Sequence, residues 1–144
     1  MRISKKCRHG VRVMLTLAAL PAAKTLTLRE LAATESASEK YLWQVMNALT
    51  SAGLVRAARG AQGGYRLAHA SRAITLKDIV FALDGPCKLV AHSRMNNSSR
   101  SEERVESEIW ADMERKISTY LASSTLRDLR ERCDRQNQMP DYVI

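Results

Sequence analysis

Apolar residues in the first third of the chain recur with the spacing of helices that each bury one face. Val11, Met14, Leu15 and Ala18 fall at i, i+3, i+4 and i+7, which predicts a helix over residues 4–20, halted at Pro21. Thr27-Leu28-Arg29-Glu30 is a capping box: a threonine oxygen accepts from an amide three residues on, and a glutamate there reaches back. A short second helix therefore starts at this point, with Leu28, Leu31 and Ala32 inward, and Thr34-Glu35-Ser36 reads as a tight turn. Ser36 to Glu39 repeats the capping pattern and opens a third helix, whose buried face is Leu42, Val45, Met46 and Leu49 and whose C-terminal stop is Gly53. Two helices joined by a three-residue turn make a helix-turn-helix, with Lys40, Trp43, Gln44 and Asn47 on the outward face of its second member.

The period then changes. Residues 54–59 and 65–68 read as two short strands around the glycine-rich turn 60–64. This is a candidate wing, flanked by Arg59 and Arg66 and tipped by Gln62, Gly63 and Gly64. Glycines let a backbone approach phosphates and arginines supply charge there, whereas a plain hairpin would merely carry solvated arginines. Thr75 to Asp78 caps a helix with Leu76, Ile79, Val80 and Leu83 inward and Gly85 as its stop. After a polar Ser/Asn-rich stretch over 92–101, Val105, Ile109, Met113, Ile117 and Leu121 recur every four residues along a long helix, beside Trp110 and Tyr120. Such a stripe is too long for a domain of this size to cover. Pairing with a second copy buries it on both partners, with packing inside one chain as the alternative. Thr125 to Asp128 caps a last helix, and the tail 137–144 looks loosely held. The expected fold is mainly α with a small β-hairpin wing: a winged helix-turn-helix over 1–85, a sensor or effector loop over 86–102, and a dimerisation helix with a C-terminal helix over 103–136.

Composition narrows the function. At 144 residues and 45% hydrophobic, the chain suits one compact domain. The apolar run 13–23 falls short of the ~20 residues of a membrane span. Arg12 interrupts any reading of the basic start as a secretory signal, so a cytoplasmic protein without membrane contact is expected. Three cysteines (Cys7, Cys87, Cys133) are too scattered for a disulfide framework and should be thiols. The formal charge of +8 is uneven: residues 1–92 carry 14 Lys/Arg against 5 Asp/Glu, and the remainder 9 against 10. A charge confined to one part points to a polyanionic partner, and double-stranded DNA fits best. His9, His69 and His92 belong to no nucleophile, metal or phosphate-loop motif. Asp78 reads as a cap and Asp84 as a solvated helix end, so no enzyme is expected. A winged helix used only for protein contacts is the other-class alternative, but it would not need the basic outward residues.

Taken together, MRISKK at the start, LRELA over 28–32, YLWQV over 41–45, AGLV over 52–55, RGAQGGYRL over 59–67, ITLKDIV over 74–80, Trp110 and TLRDL over 125–129 resemble the Rrf2 family of winged-helix regulators, which includes IscR, NsrR and CymR types. The resemblance implies a homodimeric repressor on a palindromic operator, its third helix in the major groove and its wing at the adjacent minor groove or backbone. It places Ser38, Glu39, Lys40, Tyr41 and Gln44 at or near bases and phosphates, with Gln44 suited to an adenine edge. Lys40, Arg59 and Arg66 would bind phosphate, as would Arg2, Lys5 and Lys6. Trp43 departs from the family, where glutamate is frequent beside that glutamine, and this bears on the operator sequence.

Many members hold an iron–sulfur cluster with three cysteines in the segment that follows the wing domain. Aligned on Gly85-Pro86 and Trp110, this chain has His92 at the first cysteine position, Arg104 at the third and Ser107 where some members carry a ligating histidine, with no cysteine between. No cofactor is therefore expected, because a cluster needs thiolates and an arginine opposes a cationic site. The resemblance leaves Cys87 as a thiol sensor, or as a lone ligand with His92 and a residue from the start of the partner chain, here Cys7, Arg8 or His9. Lys88 and Arg8 would raise the thiolate fraction of Cys87. A protein or small-molecule effector, as in the clusterless CymR branch, is the second reading, and an inert thiol the third.

Overall fold

The computed structural model describes residues 1–61, 63–91 and 99–140. Among these residues six α-helices and one hairpin follow in order, with a short 3-10 turn (Ser71–Ala73) before α4: α1 (Lys5–Ala18), α2 (Leu28–Thr34), α3 (Glu39–Ser51), β1 (Val55–Ala58), β2 (Gly64–Leu67), α4 (Leu76–Asp84), α5 (Ser101–Ser123) and α6 (Leu126–Gln138). Threonine caps open three of them. Thr27, Thr75 and Thr125 each accept from the amide three residues on, while Glu30, Asp78 and Asp128 accept from the capping residue in return. For α3 the expected cap was one residue pair too early. Ser38, not Ser36, accepts from the Tyr41 amide at 3.1 Å. Ser36 instead adopts φ 51° in the turn between α2 and α3, a left-handed conformation that a helix cap does not have.

β1 and β2 pair antiparallel with Val55 opposite Leu67 and Arg56 opposite Arg66. A third segment joins them, unseen in the sequence pattern: Leu26 exchanges two backbone hydrogen bonds with Tyr65, at 3.1 and 2.7 Å. One core lies beneath these elements. Met14, Leu31, Leu42, Met46, Leu49, Ile74, Ile79 and Leu126 are fully buried, each contributing about 1.5–3 kcal/mol by removal from water.

The C-terminal part returns to this same core. Leu126 donates its amide to Ile74 O at 2.7 Å, Leu76 to Ser124 O at 2.9 Å, and α6 packs on α1. Leu121 is 7% exposed and Ile117 packs against the core, so the lower end of the apolar stripe on α5 is covered by the chain itself. Leu121 thereby leaves the set of surface positions expected at a dimer seam. Val105, Ile109 and Met113 stay exposed at 55%, 49% and 42%. No helix among the described residues is long and apolar enough to cross a membrane.

Candidate nucleic-acid interface

α3 buries Leu42, Val45, Met46 and Leu49 and therefore turns Lys40, Trp43, Gln44 and Asn47 outward. All four are exposed, and among the described residues none makes a side-chain hydrogen bond or ion pair. Ser38 and Glu39, also exposed, stand at the start of the helix. There Glu39 complements the positive end of the helix dipole, and the Ser38 oxygen is engaged in capping. Tyr41 does not belong to this face. Its ring packs edge-on against His9, with centroids 5.3 Å apart, and its hydroxyl is buried without a partner among the described residues. Burial also raises its pKa. Position 41 falls between the outward and inward rows of the helix, and the aromatic ring takes the inward course.

The hairpin lies next to this helix in the chain and carries three arginines. Arg59 is exposed and Arg66 half-buried, as the wing requires, but the register pairs Arg66 with Arg56 rather than setting it across the turn from Arg59. Arg56 is the residue that sequence reasoning missed. Two like charges directly opposite on adjacent strands destabilise a hairpin, and an anion against them removes that cost. None of the three forms a salt bridge among the described residues. The glycines also serve the chain itself. A Cβ on Gly64 would lie 2.7 Å from Leu26 O, and one on Gly63 would lie 2.8 Å from Ala58 O. Their bareness lets the protein's own backbone close on itself. Gln62 lies outside the described residues.

Further cations come from the start of the chain. Arg2 and Lys5 are exposed, Lys6 half-buried, and Arg2, Lys5, Arg8 and Arg12 line a cleft of about 700 Å³ at α1. Asp84 is an exposed helix end, as expected, but it also has a partner. It accepts from the Ser4 amide at 2.9 Å and from the Ser4 hydroxyl, tying the end of α4 to the cap of α1.

The sensor candidates separate. Cys7 is fully buried, and burial first, then the Asp84 carboxylate, pushes its thiol pKa up to about 11. A reactive thiol needs the opposite shift, so Cys7 is withdrawn as a sensor. Cys87 is partly exposed, and its thiol donates to the Met1 thioether at 3.0 Å. Two residues on, the Leu89 amide donates to Glu114 of α5 at 2.6 Å, so residues 87–89 touch both the start of the chain and the long helix. His92 lies outside the described residues. Among the described residues no three His, Cys, Asp or Glu gather where they could hold a metal ion. A cluster asks for several thiolates, and the sulfur beside Cys87 is the Met1 thioether. The described residues beside Cys87 do not by themselves fit an iron–sulfur group.

Comparison with known proteins agrees with this geometry. The Rrf2 family, described as an iron-dependent transcriptional regulator, matches residues 3–132. The chain is 36% identical to the transcriptional regulator CymR of Bacillus subtilis over 144 residues, the whole of both chains. Its fold superposes on the structure of that regulator with a TM-score of 0.76 and 34% identity, over 91% of this chain and 97% of the other. Against IscR of T. potens the TM-score is 0.75 and the identity 32%, over 98% and 93%. The chain belongs to the Rrf2 family of winged-helix transcriptional regulators. It is a DNA-binding regulator and not an enzyme.

Proposed function

We propose that the chain is a cytoplasmic repressor that binds a palindromic operator as a homodimer, one α3 in a major groove at each half-site and each hairpin beside it. The observation that carries this reading is the outward row Lys40, Trp43, Gln44 and Asn47, exposed and without side-chain partners among the described residues, followed in the chain by three arginines that form no salt bridge among those residues. A protein-only contact would favour an apolar centre with charge kept to its rim. Gln44 reads an adenine edge and Trp43 packs beside it. Ser38 and Glu39 flank the entry of α3, and Lys40, Arg59 and Arg66 join Arg2, Lys5 and Lys6 on phosphates. The dimer forms through Val105, Ile109 and Met113, whose side chains remain half exposed in one copy. Residues 1–85 supply the reading surface and 103–136 the seam, built on one continuous core.

Anisotropy of a duplex of about 30 bp, long enough for two half-sites, tests this. Affinity should fall steeply with salt, with a log–log slope of about −0.9 per phosphate neutralised. Weak, salt-indifferent binding would select the protein-interaction alternative. The signal enters through residues 86–107, of which Cys87 touches Met1 and Leu89 touches Glu114 of α5. The B. subtilis relative is described as the global cysteine regulator. A protein or small-molecule effector tied to sulfur supply is the reading that needs no cluster. The partial exposure of Cys87 supports oxidation of its thiol as the second reading. An oxidant-induced loss of DNA affinity that vanishes in Cys87→Ser selects the thiol, and an unchanged response selects the effector.

A further inference from the structure

A polar cluster beneath the start of α3 has no counterpart in the interface described above. Glu35, the C-terminal cap of α2, has a side chain only 6% exposed, and it accepts from Arg12 Nε at 2.8 Å. Both Nη groups of Arg12 are left without partners among the described residues, on a side chain that is 47% exposed and lines the α1 cleft. A guanidinium pinned through Nε by a buried carboxylate is an oriented fork, the form in which arginine binds phosphate oxygens. Arg2, Lys5 and Arg8 complete the lining of the cleft, and no carboxylate is among its lining residues.

His9 lies in the same lining, 7% exposed, with Nδ1 buried and without a hydrogen bond, 3.6 Å from Glu35 Oε2. The charged and titratable groups that face it are Lys5, Arg8 and Arg12 of its own helix, Glu35 from α2 and Tyr41 from α3. Burial lowers the pKa of the imidazole, and the cations of the cleft, Arg12 foremost, act in the same direction against the pull of Glu35. A phosphate placed against those cations cancels much of their repulsion.

We propose that this cleft seats a backbone phosphate of the bound duplex on the Nη groups of Arg12, and that His9 takes up a proton from solvent when the phosphate arrives. The inference rests on the DNA-binding reading and extends it. The ligand is a phosphodiester, Glu35 is a positioning residue, and the contact of His9 with Tyr41 links the seat to the helix that enters the groove. The sign follows from linkage. The bound state holds one more proton near neutrality, so affinity rises as pH falls, by at most about tenfold per pH unit.

Three proteins are titrated with a mixed-sequence duplex of about 30 bp across salt and between about pH 7.5 and about pH 5.5, with thermal melts to verify folding. In Arg12→Gln/Glu35→Gln, which leaves no lone buried charge, the salt slope should fall by about one. In His9→Gln the salt slope should hold while the pH dependence is lost. Calorimetry of the wild type in buffers of differing ionisation enthalpy reads proton uptake directly, even if the histidine variant fails to fold. An unchanged slope in the double variant, or zero proton uptake, overturns the seat while leaving DNA binding intact. A wild type that binds no duplex overturns the DNA reading itself.

Discussion

Ile109→Asp should convert a dimer into a folded monomer. Val105, Ile109 and Met113 keep about half of their side chains exposed in a single copy. Complete burial of side chains of this size is worth about 2 kcal/mol, so each has about 1 kcal/mol left to gain, or about 6 kcal/mol over both partners. The substitution removes about 2 kcal/mol of that sum. It also sets two carboxylates against each other on a two-fold seam, where leaving water costs several kcal/mol more. A loss above about 4 kcal/mol raises the dissociation constant by about a thousandfold. Within one copy nothing comparable is at stake, since Ile109 lies outside the buried core and aspartate costs a helix less than about 1 kcal/mol. Sedimentation velocity at micromolar concentration should give twice 16.1 kDa for the wild type and 16.1 kDa for the variant, with far-ultraviolet spectra that superimpose. A variant that stays dimeric with unchanged affinity would refute the assignment of this stripe.

Three further outcomes follow from named contacts. Gln44→Ala should lower affinity for a selected site more than for random duplex, while Arg59→Ala weakens both alike, as competition titrations will reveal. Gly10→Ala should lower the melting temperature by a few degrees. A Cβ there would run into Leu83 Cδ1, and overpacking at about 1–3 kcal/mol exceeds the helix propensity gain of about 1 kcal/mol. Glu30 and Asp128 accept backbone hydrogen bonds that hold their pKa values below the ordinary carboxylate range. Because the folded values are depressed, their contribution is complete above that range and lost as pH falls through it. Glu30→Gln and Asp128→Asn should therefore flatten the acid limb of the stability profile followed by urea melts.

What could be read from the sequence was whatever is decided within one turn of helix. Thr27, Thr75 and Thr125 announce their helices because cap and partner stand three residues apart, and the inward rows of α3 and α4 follow from period alone. On α1 the buried face is instead Cys7, Gly10, Val13, Met14 and Leu17, and of the expected row Val11, Leu15 and Ala18 are only partly buried. The cap of α3 slipped from Ser38 to Ser36 because both serines stand close before Glu39 and Lys40, and only the turn geometry separates them. Pairings across the chain were not legible. Leu26 joins Tyr65 over a gap of 39 residues, and Arg56 meets Arg66 only once the register is known. Glu35 finds Arg12 from another helix, and nothing in the spacing of those residues announces the pair. The long stripe misled in one respect. Its period marks an apolar face, but period does not say what covers that face: Leu121 goes to the chain's own core, while Val105, Ile109 and Met113 stay exposed. Cys7 likewise sits in a basic stretch of sequence, yet its side chain turns inward beside Asp84.

Selection of bound sites from a pool of random duplexes, followed by sequencing, tests most directly whether two copies of α3 read DNA together. The account predicts enrichment of an inverted repeat whose half-site centres stand a whole number of helical turns apart, about 10–10.5 bp or a multiple of it. Enrichment of a single unrepeated element, or of no sequence at all, would contradict it.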